Sequence, residues 1–407
     1  MKCRFCHHDL AHIFADLGNA PPSNSYLRAA QLNAPETFYP LKIWTCADCF
    51  LTQIDEFKNH AEIFAADYAY FSSFSSSWVA HAKAYVEKMA QEFKLDKNSK
   101  VAEIASNDGY LLQFVKERGI PCLGIEPTHG TAEAARKKGI ETREVFFGKQ
   151  TAGQLVKDGW QADLTAANNV LAHVPDINDF IAGFKILLKP EGVATFEFPH
   201  LLQLVANNQF DTIYHEHFSY LSLLTVEKIM GAHGLRVFHV EELPTHGGSL
   251  RVFAAHNQSG HAKRASVDAV LKKESAAGMD HMPFYDGFQA KADRVRLDFL
   301  KFLVDAKTAG KKIAAYGAAA KGNTLLNYCG VKSGLIDFVC DLSPHKQGML
   351  LPGSHVPIMP PEEIEKQRPD FIVIFPWNIK TEITKQLAYV RDWSAKFVVA
   401  IPKLEVF

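Results

Sequence analysis

The sequence predicts an α/β chain of two doubly wound units preceded by a small zinc-binding module. Three observations carry that expectation: paired Cys-x-x-Cys turns near the N-terminus, a strand–turn–helix–strand pattern over 101–126, and a second such pattern beginning at Lys312. A chain of 407 residues is long for one domain and divides naturally into two or three. With 47% apolar and 22% charged residues it has the composition of a folded globular protein. A net charge of −1 argues against a dominant nucleic-acid partner, which clustered Lys and Arg would have to hold, although a local basic patch stays compatible with that total. MKCRFCHHDL lacks the apolar core of a secretory signal, and no run of about 18 apolar residues suggests a membrane span. The expected location is cytoplasmic, with no membrane partner.

The first module rests on Cys3/Cys6 and Cys46/Cys49. A two-residue gap lets both sulfurs of a tight turn point at one ion, and two such turns supply the four thiolates of a tetrahedral structural zinc site. The 39 residues between the pairs exceed a short zinc ribbon, so the chain must fold back before the site closes. Pro21-Pro22 and Pro40 punctuate that stretch, and 41–45 reads as a strand entering the second knuckle. A redox dithiol is the alternative, and it would need only one pair. Seven cysteines leave one unpaired in an all-disulfide scheme, which suits thiolate chemistry in a reducing compartment.

Residues 101–126, VAEIASNDGYLLQFVKERGIPCLGIE, parse as a strand, a small-residue turn, an amphipathic helix and a second strand ending in an acid. Ala105, Ser106, Asn107, Asp108 and Gly109 replace the usual glycine-rich run, so the standard dinucleotide fingerprint is absent. Glu126 follows Gly109 by 17 residues, at a strand tip where a carboxylate can accept both ribose hydroxyls. Residues 162–176 read as a strand, a loop and a short helix. Two alternating apolar runs, 235–240 and 249–255, flank His246-Gly247-Gly248 as an antiparallel pair. Helical spacing with few breakers fills 262–310. Beyond it, 312–316 is a strand, 317–322 a tight turn and 323–327 a helix start, with further strands over 336–340, ending at Asp341, and 371–375. Backbone amides at a helix N-terminus favour phosphate, and Lys321 within that turn could neutralise a diphosphate. A docking domain with an empty turn is the bland alternative.

Segments 101–126 and 162–256 together resemble a class I S-adenosylmethionine-dependent methyltransferase, with 187–194 matching that family's turn into its fifth strand. The chain from end to end resembles the nucleotide-sugar C-methyltransferases, which act on 4-keto-6-deoxyhexoses. The marks are the two Cys-x-x-Cys pairs, YAYFSSFSSSW at 68–78, SNDG at 106–109, YHEHFSY at 214–220, HGGSLR at 246–251 and GAAAKGNTLLN at 317–327. The resemblance implies two Rossmann-like units and three domains: a zinc-binding module over 1–65, a methyltransferase domain over 66–260, and a helical connection with a nucleotide-sugar-binding domain over 261–407. It implies S-adenosylmethionine and structural zinc as cofactors, and a dTDP-type sugar, or a GDP-type one, as substrate. Glu103, Ala105, Asn107, Gly109, Glu126 and Asn168 are the implied cofactor residues. Tyr70, Ser73, Asn169, His173, Lys321, Asn323 and Thr324 are the implied substrate residues. Ala105 stands where the family often has glycine.

Forming a carbon–carbon bond beside a ketone requires a base for the α-proton and a partner for the enolate oxygen, and imidazole titrates near neutrality. If 214–217 is a helical turn, Tyr214 and His217 share a face while His215 points elsewhere. The resemblance makes His217 the base, with Tyr214, Glu216 and Tyr68 as catalytic partners. Glu216 would orient an imidazole or bind a sugar hydroxyl. An O-methyltransferase on the same sugars, and a zinc-knuckle nucleic-acid-binding protein or RNA methyltransferase, are the competing functions.

Overall fold

The computed structural model describes residues 1–57 and 71–407. In chain order its strands are β1 (His12–Ala20), β2 (Tyr39–Thr45) and β3 (Thr52–Ile54), then β4 (Val101–Ile104), β5 (Cys122–Ile125), β6 (Thr142–Arg143), β7 (Ala162–Asn168) and β8 (Leu188–Pro199). β9 (Ser219–Tyr220), β10 (Leu235–Leu243) and β11 (Ser249–His256) follow. The last group is β12 (Ile313–Tyr316), β13 (Phe338–Cys340), β14 (Ile358–Met359), β15 (Phe371–Ile374), β16 (Lys396–Val399) and β17 (Glu405–Val406).

The largest sheet runs β10-β11-β8-β7-β4-β5-β6 and is parallel except for β11, which opposes both neighbours. Parallel strands covered by helices bury both faces, so they read as continuous apolar or small-residue runs. All of β4 and six of the seven residues of β7 are buried accordingly. This order, with its one reversed strand, is the class I methyltransferase sheet that the resemblance implied. A second sheet, β14-β13-β12-β15-β16-β17, is parallel up to its last strand and winds outward from β12 in both directions.

The third sheet, β1-β2-β3-β9, is antiparallel throughout. Its fourth strand is the end of YHEHFSY, with Ser219 opposite Gln53 and Tyr220 opposite Thr52. Module and catalytic candidate thus share one sheet. Helices Ala265–Ala276 and Phe288–Thr308 link the two larger sheets. In the second helix Phe288, Ala292, Val295, Phe299, Leu303 and Ala306 recur at helical spacing and are buried. They enter a core that also holds Phe14 and Leu41 of the first module, Phe210, Ile213 and Phe218 around the catalytic candidate, and Leu325, Val339 and Val373 of the last unit. Residues 210–218 therefore lie where all three parts of the chain meet.

One local expectation is corrected. The helix expected to begin at Asn323 spans Ala320–Cys329, because the preceding alanines favour helix. Gly317 (φ 86) makes the turn, and a Cβ there would lie 2.6 Å from the Pro376 ring. Lys321 consequently sits in the first helical turn and not in the loop. Among the described residues no helix is long and apolar enough to cross a membrane.

Candidate active site

Both Cys-x-x-Cys turns use the same backbone device. Cys3 N donates to the His8 carbonyl at 2.8 Å and His7 N to the Cys3 carbonyl at 3.0 Å, while Cys46 N donates to Leu51 at 3.0 Å and Phe50 N to Cys46 at 2.9 Å. His7 (φ 62) and Phe50 (φ 64) hold the left-handed conformation at equivalent places. The four sulfurs lie within 4.8 Å of one another, with Cys3–Cys49 at 3.6 Å and Cys6–Cys46 at 3.5 Å. That spread fits four thiolates about 2.3 Å from one tetrahedral zinc. Gln53 Nε2 donates to Cys3 Sγ at 3.2 Å and so steadies a ligand from β3. Arg4, inside the first knuckle, donates to the Pro175 and Ile54 carbonyls at 2.7 and 2.6 Å and lies over the Phe218 ring at 5.3 Å. The metal site is therefore wired to the 214–220 segment.

The turn after β4 places Ala105 (φ 56), Asn107 (φ 49) and Gly109 (φ 74) in the left-handed region. Ala105 adopts a conformation that glycine takes at less cost, which accounts for the family's glycine there. Gly109 is favoured by its positive φ, and a Cβ there would also press on Ile140 Cδ1 and come within 3.3 Å of the Ala135 Cβ. Glu126 pins this turn: Oε2 accepts from Asn107 N at 2.8 Å and Oε1 from Thr128 N at 2.9 Å. Oε1 also accepts from Thr128 Oγ1, so Oε2 is the oxygen that keeps a lone pair for a ribose hydroxyl.

Glu103, 1% exposed, lies beneath the turn. Burial pushes its carboxyl well above the usual carboxylate range; the Tyr110 phenol opposes that, and Asp108 and Glu126 add repulsion. Lys138 reaches Asp108 at 3.2 Å and Ser73 Oγ at 2.8 Å, so Ser73 stands beside the cofactor turn. At the tip of β7, Asn168 Oδ1 is buried without a hydrogen bond. Glu126 and the Lys138-paired Asp108, with the buried Glu103 carboxyl beneath them, make a polar acidic turn that suits a cationic ligand such as S-adenosylmethionine.

Residues Tyr214 to His217 form a tight turn, closed by His217 N donating to the Tyr214 carbonyl at 2.9 Å. Their rings face each other with centroids 4.0 Å apart. His217 Nδ1 lies 2.8 Å from the Thr212 carbonyl. A carbonyl can only accept, so Nδ1 carries the proton and Nε2 keeps its lone pair. His173 meets this ring edge-on at 4.6 Å. Burial, and then the charges of His173, His246 and Lys321, hold His217 well below the ordinary imidazole range, against the pull of the Thr212 carbonyl. His173 and His246 are both pushed down to about 4, chiefly by burial.

His215 points away, with Nε2 3.2 Å from the Pro40 carbonyl. Glu216, expected to orient an imidazole or bind a hydroxyl, accepts from Asn24 Nδ2 at 2.7 Å and so ties the turn to the first module. Nearby, Tyr26 Oη donates to the Ala318 carbonyl at 2.7 Å.

Asn169 (φ 53) and His246 (φ 54) are both left-handed without being glycine, and Asn169 Nδ2 donates to His246 Nε2 at 3.0 Å. Such backbone strain gathers at working sites. Trp78 packs edge-on to His246 at 5.3 Å and stacks on His81 at 4.9 Å. His81 and Arg251 in turn hold fully buried Glu197 at 2.9 and 2.7 Å. Lys321 was expected to meet a diphosphate in the glycine turn. Its ammonium instead lies 4.5 Å over the Trp377 ring and donates to Asn378 Oδ1 at 2.8 Å, facing the methyltransferase sheet. Thr324, expected to touch substrate, is buried and donates to the Ile213 carbonyl at 2.8 Å. Asn323 is 1% exposed with neither side-chain polar atom hydrogen-bonded, as a ligand-facing amide would be. Tyr68 and Tyr70 fall outside the described residues.

Asp211 and Trp377 escaped the sequence reading, and His246 was noticed only as part of a hairpin turn and of HGGSLR. Trp377 Nε1 donates to Asp211 Oδ2 at 2.7 Å, and burial raises the Asp211 carboxyl to about 6, against the Lys321 charge. A glycine pair after a histidine signals a turn worth examining, whereas a lone Asp and a lone Trp 166 residues apart give no signal.

Three family models match along the chain: a zinc-binding domain over residues 3–64, a methyltransferase domain over 79–240, and a C-methyltransferase C-terminal domain over 244–402. Over 405 residues, 100% of this chain and 96% of the relative, the sequence is 32% identical to the C-methyltransferase NovU of Streptomyces niveus. Solved structures similar to part of the chain include a SAM-dependent methyltransferase from Anabaena variabilis ATCC 29413, at 14% identity and TM-score 0.37 over 43% of this chain and 84% of its own. Magnesium protoporphyrin IX methyltransferase from Synechocystis PCC 6803 gives 14% and 0.36 over 50% and 100%. The end-to-end match to NovU, with the three domain models in order, shows that the chain belongs to the S-adenosylmethionine-dependent C-methyltransferase family and carries that family's zinc-binding module.

Proposed function

We propose that this enzyme methylates the carbon next to the keto group, carbon 3, of a nucleotide-linked 4-keto-deoxyhexose, and that His217 is the base. The observation that carries the reading is the 2.8 Å contact from His217 Nδ1 to the Thr212 carbonyl, which leaves Nε2 unprotonated and aimed away from the backbone. When bound, S-adenosylmethionine supplies an electrophilic methyl group on a sulfonium. His217 Nε2 takes the α-proton, and the electron pair of the broken C–H bond moves onto the ketone oxygen. The Thr212 carbonyl then faces Nδ1–H of an imidazolium and stabilises it. Tyr214, packed against the base, offers its phenol to the enolate oxygen. The enolate carbon bonds the methyl as the C–S bond breaks. His173 packs edge-on against the base and Asn169 bonds His246 beside it, while Tyr68 and Tyr70 are assigned by the resemblance of the 68–78 motif alone.

In this reading Glu103, Ala105, Asn107, Gly109, Glu126 and Asn168 serve the cofactor, and the 317–324 segment with Asn323 meets the nucleotide sugar, dTDP-linked by preference. Its division of labour follows the boundaries 1–65, 66–260 and 261–407. Transfer from a donor labelled with ¹³C in its methyl group tests the reaction. The product should show a methyl bonded to carbon, and a methyl bonded to oxygen would overturn the reading.

A further inference from the structure

The two residues that flank Thr212, just ahead of the catalytic turn, are gripped by the C-terminal unit. Trp377 Nε1 holds Asp211 Oδ2 at 2.7 Å, and Thr324 Oγ1 holds the Ile213 carbonyl at 2.8 Å. Between them, the Thr212 carbonyl is the acceptor for His217 Nδ1. Lys321 and Thr324 stand three residues apart on helix Ala320–Cys329 and so share a face. A Cβ at Gly247 would strike the Trp377 ring, so the His246 turn is seated on the same indole as the 211–213 strap.

We propose that the C-terminal unit positions the base: Trp377 and Thr324 fix the 211–213 strap so that its Thr212 carbonyl holds His217 in the Nδ1–H tautomer, and Lys321 sets the charge facing that imidazole. This rests on His217 being the base. An imidazole that loses its Nδ1 acceptor can carry its proton on Nε2, and that form has no lone pair to offer the substrate. Among the described residues, the groups facing His217 are His173 from the 171–173 turn, His246 from the 245–247 turn, Lys321 from the C-terminal helix, and Tyr214 and Tyr220 from its own segment. Burial pushes the Lys321 ammonium below its ordinary range and the Asp211 carboxyl opposes that; its charge helps to hold His217 down, so removing it makes His217 easier to protonate. None of these three residues touches the reacting atoms in this account: Trp377 and Thr324 act through the strap, and Lys321, seated over the Trp377 ring, through its charge.

The test uses the full-length, zinc-loaded enzyme with Thr324→Val, Thr324→Ser and Lys321→Met. α-Proton exchange of a 4-keto nucleotide sugar into deuterated solvent is followed at saturating substrate. Thr324→Val removes the donor at constant shape, so the saturated exchange rate should fall roughly 2- to 10-fold, the span of one neutral hydrogen bond. Affinity for S-adenosylhomocysteine should be unchanged and Thr324→Ser should restore the rate, which separates the effect from misfolding. Lys321→Met should move the acid limb of the pH profile to higher pH. ¹⁵N-histidine NMR should show a smaller Nδ1–H fraction at His217 in Thr324→Val. If Thr324→Val and Lys321→Met raise KM for the nucleotide sugar while the saturated rate, the pH profile and the tautomer stay those of the parent, the C-terminal contacts serve ligand binding only and the inference is overturned. Parent-rate exchange in His217→Ala would instead overturn the base assignment beneath it.

Discussion

Breaking the zinc site should weaken catalysis at a distance, through a path that can be followed bond by bond. Cys46 starts the hairpin that becomes β3, and β3 pairs with β9 directly after His217. Cys46→Ser removes one of four thiolates from a site type whose metal binding contributes about 10–16 kcal/mol to folding of small modules, so the knuckles should open. What His217 then loses is local: the Ile54 N to Phe218 carbonyl bond at 3.1 Å and the register of Thr52 with Tyr220 and Gln53 with Ser219. Two or three backbone hydrogen bonds at about 0.5–1.5 kcal/mol each come to about 1–4 kcal/mol, which corresponds to a fall of roughly 5- to 1,000-fold in the equilibrium constant for ordering that segment. Metal analysis, hydrogen exchange read by mass spectrometry, and turnover check the chain of effects. Zinc should drop from one per chain, protection should be lost over 43–54 and 218–220 while 101–125 stays protected, and turnover should fall roughly fivefold or more. Full zinc content in the variant refutes the four-thiolate site. Zinc loss with parent protection at 218–220 and parent turnover refutes the coupling.

Glu126→Gln leaves either Asn107 N or Thr128 N facing an NH₂ group in place of an oxygen. Bonds to a charged acceptor are worth about 1.5–3 kcal/mol, so calorimetry should show S-adenosylhomocysteine binding weakened roughly 10- to 150-fold; a change under twofold contradicts the placement. Because His217 is held well below its ordinary range, mainly by burial, its base form persists below pH 6.5, and kcat/KM for the nucleotide sugar should stay level from pH 8 to about 6.5 before declining. A decline centred at or above that value speaks against His217 or against its dry setting. Tyr214→Phe should slow turnover less than loss of His217 if the phenol only hydrogen-bonds the enolate, and equally if it relays the proton; stopped-flow rates of both variants decide.

Patterns that depend on near neighbours were readable from the chain. Two Cys-x-x-Cys pairs fixed a four-sulfur cluster, and alternation of strand and helix over 101–256 and 312–375 anticipated both doubly wound sheets. Tyr214 and His217 were expected on one face and their rings do meet, tilted by 34°, although through a tight turn and not a helix. Illegible features were those created by long-range packing. Ser219–Tyr220 is two residues long, and nothing local states that it completes the zinc module's sheet. Lys321 was read as a loop cation because the glycines on either side suggested a phosphate turn. Helix propensity of the alanines moved it onto a helix face, where Trp377 and Asn378 receive it. The acceptor that decides the tautomer of His217 is a backbone carbonyl, which has no signature in a sequence.

Deuterium exchange at the α-carbon of a nucleotide-linked 4-keto-deoxyhexose, without methyl donor, isolates the step assigned to His217. A general base contributes about 100- to 10,000-fold, so His217→Ala should slow exchange by that order while still binding S-adenosylhomocysteine as the parent does. Exchange at the parent rate in His217→Ala would place the base elsewhere, and His215, Tyr214 or His173 would have to carry it.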